Sequence, residues 1–384
     1  MSDDERRARL AVRHALAPAA RAGSPEGVAR ALTALHATEP ATVHLACLAR
    51  GDSLTVADVD RALYADRSLV KQLAMRRTLF VFPRDLLPAV WPSASARVAA
   101  NERARMAKDL VRAGLATDGG AWLDRARAEV LTALAGAPDG LTAGEIRRAV
   151  PLIDVKVTVT PTDPWSASRV LTLLGANADI MRSVNTARWF TARPRWTLTR
   201  HWLGPAGDLP PAAEGYREIV RRWLRSFGPG TEDDLTWWLG ATKTVVRKSL
   251  ADLGAVPVAL DGGSTGWLLP DDLDEVPDPG PWAALLPVLD PTVMGWQGRD
   301  FYLGGHRDAI IDRRGNAGTT AWADGRVVGA WVQDETGVVR VRLLAAVPPD
   351  ARRRVESEAE RLTARLAGER VPTAYLSPAM RGDA

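Results

Sequence analysis

The amino-acid sequence predicts an α+β protein with three tandem helix-turn-helix units, each ending in a β-hairpin, followed by a small antiparallel β-barrel and a C-terminal helix. Two observations support this prediction. A pattern of three helices and a hairpin occurs three times, and from residue 281 onward short strands separated by turns replace it. We therefore expect four domains, covering residues 1–118, 119–205, 206–278 and 279–384.

The clearest copy of the repeated unit covers residues 212–269. Its first helix stops at a Gly-Pro-Gly sequence, and Thr231 is placed to cap the second helix. The third helix turns its apolar side chains inward and leaves Lys243, Arg247 and Lys248 outside. A basic third helix followed by a hairpin is the winged form of the helix-turn-helix, which binds double-stranded DNA. A helix pair with a solvated basic face is the alternative.

The second copy covers residues 122–198. Thr142 and Glu145 predict a capping box at the start of a helix, and a loop is expected over residues 156–164. The hairpin that follows combines arginines with tryptophans, which suits contacts to phosphates, although the tryptophans equally suit a strand core. The arginines predicted to bind DNA here are Arg182, Arg188, Arg193 and Arg195.

The first copy is less regular. A helix is predicted from Ser24 through residue 37, a second opens at Thr55, and a third over residues 68–78 leads into an apolar strand. Arg76 and Arg77 lie at the end of this third helix. We expect at least one of them to bind phosphate, and a structural ion pair is the alternative.

The composition limits the classes of function. No apolar run approaches the ~20 residues of a membrane span, and the N-terminus lacks an apolar signal core, so we expect a cytoplasmic protein with no membrane contact. One cysteine, Cys47, excludes an internal disulfide and a cysteine-based zinc site. The five histidines are scattered and glycine-rich phosphate loops are absent, so we expect no metal and no cofactor.

Three short segments carry a resemblance to a known family over nearly the whole chain. The order and spacing of these segments, with the matching domain plan, resemble the AlkZ/YcaQ-like winged-helix DNA glycosylases. They are Leu35-His36-Ala37-Thr38, Met75-Arg76-Arg77-Thr78-Leu79, and Leu286-Pro287-Val288-Leu289-Asp290 with Met294-Gly295-Trp296 and Arg299, the last followed by residues 324–329.

The resemblance implies excision of alkylated purines and, in some members, unhooking of interstrand crosslinks. Members hold the attacking water with a Gln-apolar-Gln or Gln-apolar-Asp triplet. This chain departs from that pattern, because the triplet is His36-Ala37-Thr38, followed by Glu39. His36 could accept a proton from water, Thr38 could hold the water, and Glu39 could offset positive charge on the sugar. Alternatively, His36 caps a helix that stops before Pro40, and the others are turn residues.

Other residues of the matched segments complete the hypothesis. Arg299 is expected near the DNA, Trp296 is expected to fill the barrel, and the role of Asp290 stays open. Lys71 is expected on an exposed helix face, so no lysine nucleophile is available to the site. We therefore predict a monomeric, monofunctional DNA glycosylase that hydrolyses the N-glycosidic bond of bulky alkylated purines, crosslinks among them, in duplex DNA. A non-catalytic DNA-binding regulator or damage sensor is the alternative, and a protein-binding scaffold is a third hypothesis.

Overall fold

The computed structural model describes residues 1–158, 165–205 and 207–383. Most of the loop predicted over residues 156–164 therefore lies outside the described residues. The first unit contains one antiparallel sheet with strand order β1-β3-β2. Its elements are α1 (Asp3–Arg13), α2 (Pro25–Ala31), β1 (Leu35–His36), α3 (Pro40–Arg50), α4 (Val56–Asp60), β2 (Leu69–Ala74), β3 (Thr78–Pro83), α5 (Leu87–Val90) and α6 (Ala96–Arg112).

Two predictions for this unit are wrong. The helix predicted over residues 68–78 is strand β2 with a 3-10 turn, Met75–Arg77, and β2 pairs with β3 from Leu69 opposite Pro83 to Ala74 opposite Thr78. A run this short has no decisive helical period, so pairing with the apolar β3 decides its conformation. The first long helix also ends early, at Ala31, and residues 35–36 form a strand instead.

The second unit has the predicted order of elements. Thr142 and Glu145 form the expected capping box at the start of its second helix. Its sheets have the orders β4-β8-β7 and β5-β6. The elements are α7 (Gly119–Ala135), β4 (Leu141–Thr142), α8 (Ala143–Ala149), β5 (Lys156–Val157), β6 (Trp165–Ser166), α9 (Ala167–Ala176), β7 (Ile180–Asn185), β8 (Pro194–Leu198) and α10 (Thr199–Leu203).

The third unit follows the sequence prediction closely. Thr231 caps the second helix in a capping box with Asp234, and Gly240 ends that helix in the left-handed region with φ 57°. The two strands of the hairpin pair from Thr265 opposite Ala259 to Leu268 opposite Val256. The elements are α11 (Ala212–Phe227), α12 (Glu232–Leu239), α13 (Lys243–Asp252), β9 (Val256–Ala259) and β10 (Thr265–Leu268).

The last segment contains an open sheet rather than the predicted barrel. Among the described residues its four strands have the order β11-β12-β13-β14 without closure. The chain after Gly368 packs against the sheet and contains a short helix. The elements are β11 (Ala283–Leu286), α14 (Pro291–Met294), α15 (Asp300–Leu303), α16 (Arg307–Ile310), β12 (Thr320–Ala323), β13 (Arg326–Gln333), β14 (Val339–Leu343), α17 (Pro349–Leu366) and α18 (Pro378–Arg381). In the described part of the chain, no helix has the length and apolar character of a membrane span.

A fully buried ion pair joins the first unit to the last segment. The guanidinium of Arg50, at the end of α3, binds both carboxylate oxygens of Asp290 at 2.6 and 2.9 Å, and neither side chain is exposed to solvent. The remaining donors of Arg50 bond to the carbonyl oxygens of His14 and Ala46 and to the hydroxyl of Thr292. All five N–H donors of this arginine are thereby satisfied. Asp290, whose role the sequence left open, is thus the partner of a buried charge.

His14 extends this network to the third unit. Its Nε2 lies 3.1 Å from the carbonyl oxygen of Ser226 and its Nδ1 lies 2.8 Å from the hydroxyl of Thr292. Because a carbonyl only accepts, Nε2 carries the proton and Nδ1 accepts from Thr292. Burial and the neighbouring Arg50 lower the pKa of His14 well below its usual value of 6.5, which agrees with a neutral ring.

We expect Asp290→Asn to destabilise the fold severely. Removing one charge leaves Arg50 buried and uncompensated, and breaking such a pair costs about 3–5 kcal/mol. The free energy of unfolding from chemical denaturation measures the effect. Asp350→Asn is the matched control, because Asp350 pairs with Arg353 at the surface and both side chains are exposed; it should cost less than about 1 kcal/mol. Equal losses in the two variants would contradict the role assigned to the buried pair.

Candidate active site and nucleic-acid interface

The predicted catalytic triplet begins on a strand and does not lie at the C-terminal end of a helix. His36 is the last residue of β1, opposite Phe80 of β3, and their rings meet edge to face at 5.3 Å. The N–H of Ala37 donates to the oxygen of Leu79 at 2.9 Å. The backbone N–H and C=O of His36 therefore point away from β3, toward the open edge of the sheet. The strand ends at His36, and the chain bends at Thr38 and Glu39 before α3 begins.

The ring of His36 is buried and incompletely bonded. The residue is 6% exposed, and its Nδ1 has no hydrogen-bond partner among the described residues. Burial, followed by the positive charge of Arg76, lowers the pKa of His36 to about 3. At neutral pH the ring is therefore uncharged, with one nitrogen free to accept a hydrogen bond. Thr38, two residues on, is exposed to solvent.

Glu39 faces a different part of the molecule. It precedes α3 in extended conformation, with Pro40 at the first helical position, so Pro40 starts a helix rather than ending one. Burial raises the pKa of Glu39, and hydrogen bonds from the backbone of Ala374 and the hydroxyl of Thr373 oppose that rise. These contacts tie Glu39 to the C-terminal chain. The geometry therefore argues against Glu39 as the group that offsets charge on a sugar beside His36.

The turn between β2 and β3 presents two consecutive arginines in a strained conformation. Arg76 and Arg77 have φ angles of 53° and 59°, the left-handed region that residues with side chains rarely adopt. Such strain is characteristic of sites where a side chain must be aimed. Arg77 is half-exposed and lies 3.3 Å from the carboxylate of Glu102, so it forms the structural ion pair that the sequence analysis named as the alternative.

Arg76 is directed toward the third unit. Its guanidinium lies over the ring of Trp237 at 4.0 Å from the ring centroid, and its Cγ would be 2.9 Å from a Cβ at Gly240. Nε of Arg76 is buried without a partner, and within the described residues no carboxylate pairs with this side chain. Burial and the neighbouring Arg299 lower its pKa to about 10, so Arg76 still carries its charge at neutral pH.

Arg299 approaches the same tryptophan from the last segment. Its guanidinium lies 4.9 Å from the centroid of Trp237, and its Nε donates to the oxygen of Trp296 at 2.8 Å. The buried carboxylate of Asp234 fixes the preceding turn by accepting from the N–H groups of residues 297 and 298. Two cations therefore share one indole ring, and the charge of one of them, Arg76, also acts on His36. Sequence analysis missed Trp237, because no local pattern connects it with either arginine.

Most of the arginines predicted to bind DNA in the second unit make contacts within the protein instead. Arg182 is largely buried, lies 5.2 Å from the ring of Trp196 and has a pKa lowered by burial to about 10, which argues against a phosphate contact. Arg195 donates to the carbonyl oxygens of residues 139 and 140. Arg188 and Trp189 contact Glu369, beyond α17, so the tip of this hairpin packs on the protein itself. Arg193 is exposed.

The basic residues of α13 are exposed but paired. Lys243 contacts Asp233 at 2.6 Å, Arg247 contacts Glu232 at 2.9 Å, and Lys248 contacts Asp252 at 2.9 Å. Surface pairs of this kind contribute less than about 1 kcal/mol, so a phosphate could replace the carboxylates at small cost.

Two further predictions concern nearby residues. Lys71 is not on an exposed helix but on β2, half-buried, with its amine 2.6 Å from the hydroxyl of Tyr64 and its pKa lowered by burial to about 8. Lys71 and Leu35 both lie opposite Val81 in the sheet, so their side chains share one face. His36, next to Leu35 on the same strand, points to the other face. Trp296 is buried, as expected, and donates to the oxygen of Phe227.

Among the described residues, no cluster of three or more metal-ligating side chains occurs.

The comparisons with known proteins cover nearly the whole chain. A family model described as DNA glycosylase AlkZ-like matches residues 29–365. An interstrand DNA cross-link repair glycosylase of Streptomyces sahachiroi is 26% identical over 186 residues, which cover 43% of this chain and 47% of that protein. The match thus spans about half the length of that relative. A solved structure, the Streptomyces sahachiroi DNA glycosylase AlkZ, superposes with a TM-score of 0.76 at 24% identity over 97% of this chain and 98% of that one.

We expect His36→Gln to remove part of the acid sensitivity of the fold. The pKa of His36 is near 3 in the folded protein and 6.5 in the unfolded chain. Above pH 6.5 the ring is neutral in both states. As the pH falls from 6.5 toward 3, only the unfolded chain takes up the proton, so the folded protein is progressively destabilised. The loss at pH 5 is roughly 2 kcal/mol. Denaturation of both proteins at pH 7 and pH 5 measures the difference.

The exposed His201 on α10 provides the control for this measurement. His201→Gln should leave the pH dependence of the free energy of unfolding unchanged. If His36→Gln behaves in the same way, the ring of His36 is not shielded as the structure indicates.

Proposed function

Because the chain belongs to the DNA glycosylase AlkZ-like family, we propose that it is a monofunctional DNA glycosylase that hydrolyses the N-glycosidic bond of bulky alkylated purines in duplex DNA. The observation that carries the proposal within the site is the buried, neutral and unpartnered His36 on an open strand edge, beside an unpaired Arg76. The cross-link repair activity named for the Streptomyces sahachiroi relative supports interstrand crosslinks as part of the substrate class.

The environment of His36 favours orientation of water over strong base catalysis. A ring with a pKa near 3 removes a proton from water poorly at neutral pH, but its free nitrogen still accepts a hydrogen bond. An N-alkylated purine with a positive charge is already a good leaving group, so positioned water and little base strength suffice. We propose that His36 and the hydroxyl of Thr38 hold this water between them, in place of the two polar residues of the family triplet.

The paired cations suit the DNA backbone rather than the sugar. A positive charge beside an oxocarbenium-like sugar would oppose the reaction, whereas Arg76 and Arg299 together suit a phosphate next to the lesion. The indole of Trp237 fixes both guanidinium groups without neutralising them. We propose these two arginines as the central phosphate contacts, with Arg193 and the residues Lys243, Arg247 and Lys248 of α13 as outer contacts.

We also propose that the three helical units are tandem winged helices that hold duplex DNA as a monomer. Their helices and hairpins support this proposal for the third unit most directly. The second hairpin would act as a structural brace, because its tip packs on α3 and on the chain after α17.

We expect His36→Ala to reduce release of N7-methylguanine from a defined duplex by about 100-fold or more, the scale of a positioned acid–base group. His36→Gln should retain much more activity, since an amide also holds water and is the family residue at this position. Binding to the same duplex should be unchanged in both variants. Equal activity of all three proteins would contradict a role for His36, and tight duplex binding without base release by the native protein would favour a sensor or regulator.

Arg76→Gln should weaken binding to undamaged and damaged duplexes alike. Loss of one phosphate contact should also reduce the slope of log K against log salt concentration by about 1. Arg353→Gln, at an exposed position on α17, is the control and should leave the slope unchanged. An unaltered slope for Arg76→Gln would show that this guanidinium does not contact the backbone.

A further inference from the structure

A cavity of about 540 Å³ opens at the start of α3, directly after the triplet. It lies between α3, strand β13, the hairpin tip of the second unit and the chain after α17. Its volume falls within the range of about 300–1,000 Å³ that small-molecule sites occupy. Its walls are mainly apolar and include two aromatic rings; they are formed by residues such as Leu45, Phe190, Val288, Trp331, Val332 and Leu376.

The outer wall of the cavity is fixed in place. The side chain of Gln333 donates to the oxygen of Glu369 and accepts from the N–H of Val371, both at 2.9 Å. Arg342 donates to the oxygen of Met380 at 2.6 Å, and Glu39 binds residues 373 and 374 from the opposite side. The C-terminal chain is thus held at three places. The cavity is preformed, so a ligand would not have to order this wall on binding.

The cavity begins next to the proposed catalytic segment. Glu39 lies in its wall and follows Thr38 directly, and three residues of extended chain from His36 span at most about 10 Å. Besides Arg342, which is bonded to the oxygen of Met380, two arginines, Arg188 and Arg370, line it with donors that the apolar walls do not supply. Arg188 is exposed, with its guanidinium 5.4 Å from the ring of Phe190 and 3.8 Å from the carboxylate of Glu369.

We propose that this cavity receives the alkyl substituent of a bulky purine adduct while His36 and Thr38 act at the glycosidic bond. The proposal rests on the proposed function and makes it more specific. The walls fit an apolar substituent with an aromatic ring, and the two arginines fit oxygen acceptors on it. A methyl group is too small to extend from the reacting centre into the cavity. The cavity would therefore affect the release of bulky adducts and not the release of N7-methylguanine.

Filling the cavity from two walls tests the proposal. Val332→Trp adds an indole from the sheet, and Leu376→Trp adds one from the C-terminal chain, so one variant remains informative if the other folds poorly. Each should reduce release of an N7-(naphthylmethyl)guanine from duplex DNA at least tenfold relative to N7-methylguanine, measured with the same enzyme preparation. Leu273→Trp is the matched control, because Leu273 is 47% exposed and Leu376 is 45% exposed, and Leu273 does not line the cavity.

The outcomes separate this inference from the proposed function. Release of neither base by the native protein would overturn the proposed glycosylase activity. Release of methylguanine but not of the naphthylmethyl adduct by the native protein would overturn only the cavity assignment. An equal effect of the filling variants on both substrates, or no effect on either, would also overturn it and leave the cavity as a space between structural elements.

Discussion

The buried pair of Arg50 and Asp290 is the constraint on which the arrangement of the chain depends. It joins the last residue of α3 to the start of α14, and through Thr292 and His14 it reaches the end of α11. Two charges in an apolar interior are tolerated only when their geometry satisfies every donor and acceptor. The first unit, the third unit and the last segment therefore fit together in one arrangement, and that arrangement brings Arg76 and Arg299 onto the ring of Trp237.

The candidate site differs from this network because some of its polar groups lack hydrogen-bond or ion-pair partners. Arg50 has all its donors bonded, whereas Arg76 has no carboxylate partner in the described part of the chain and His36 keeps an unbonded nitrogen. A buried group without a partner costs stability, and the strained φ angles at Arg76 and Arg77 add to that cost. The satisfied network elsewhere in the fold offsets these terms, so the site can hold unpaired polar groups ready for a substrate.

The three helical units contribute unequally. The third has the most regular elements, but its basic residues on α13 are paired with nearby carboxylates. The second turns its hairpin tip inward against α3 and the C-terminal chain, where Phe190 and Arg188 help to form the cavity beside Glu39. The first supplies the strand edge and the strained turn. The three units therefore contribute different elements to the candidate site and to the cavity.

The sequence alone determined the family, the order of elements in the second and third units, the capping box at Thr142 and the cap at Thr231, because these depend on local hydrogen bonding and on short motifs. It singled out His36 and Arg76 as candidates for the site but placed them in helices. Only the tertiary structure decided that residues 35–36 and 69–74 are strands, since pairing with β3 outweighs a short and ambiguous period. Only the tertiary structure also joined Arg76, Trp237 and Arg299, and buried Arg182, because contacts between distant segments and the burial they produce leave no periodic signal in the chain.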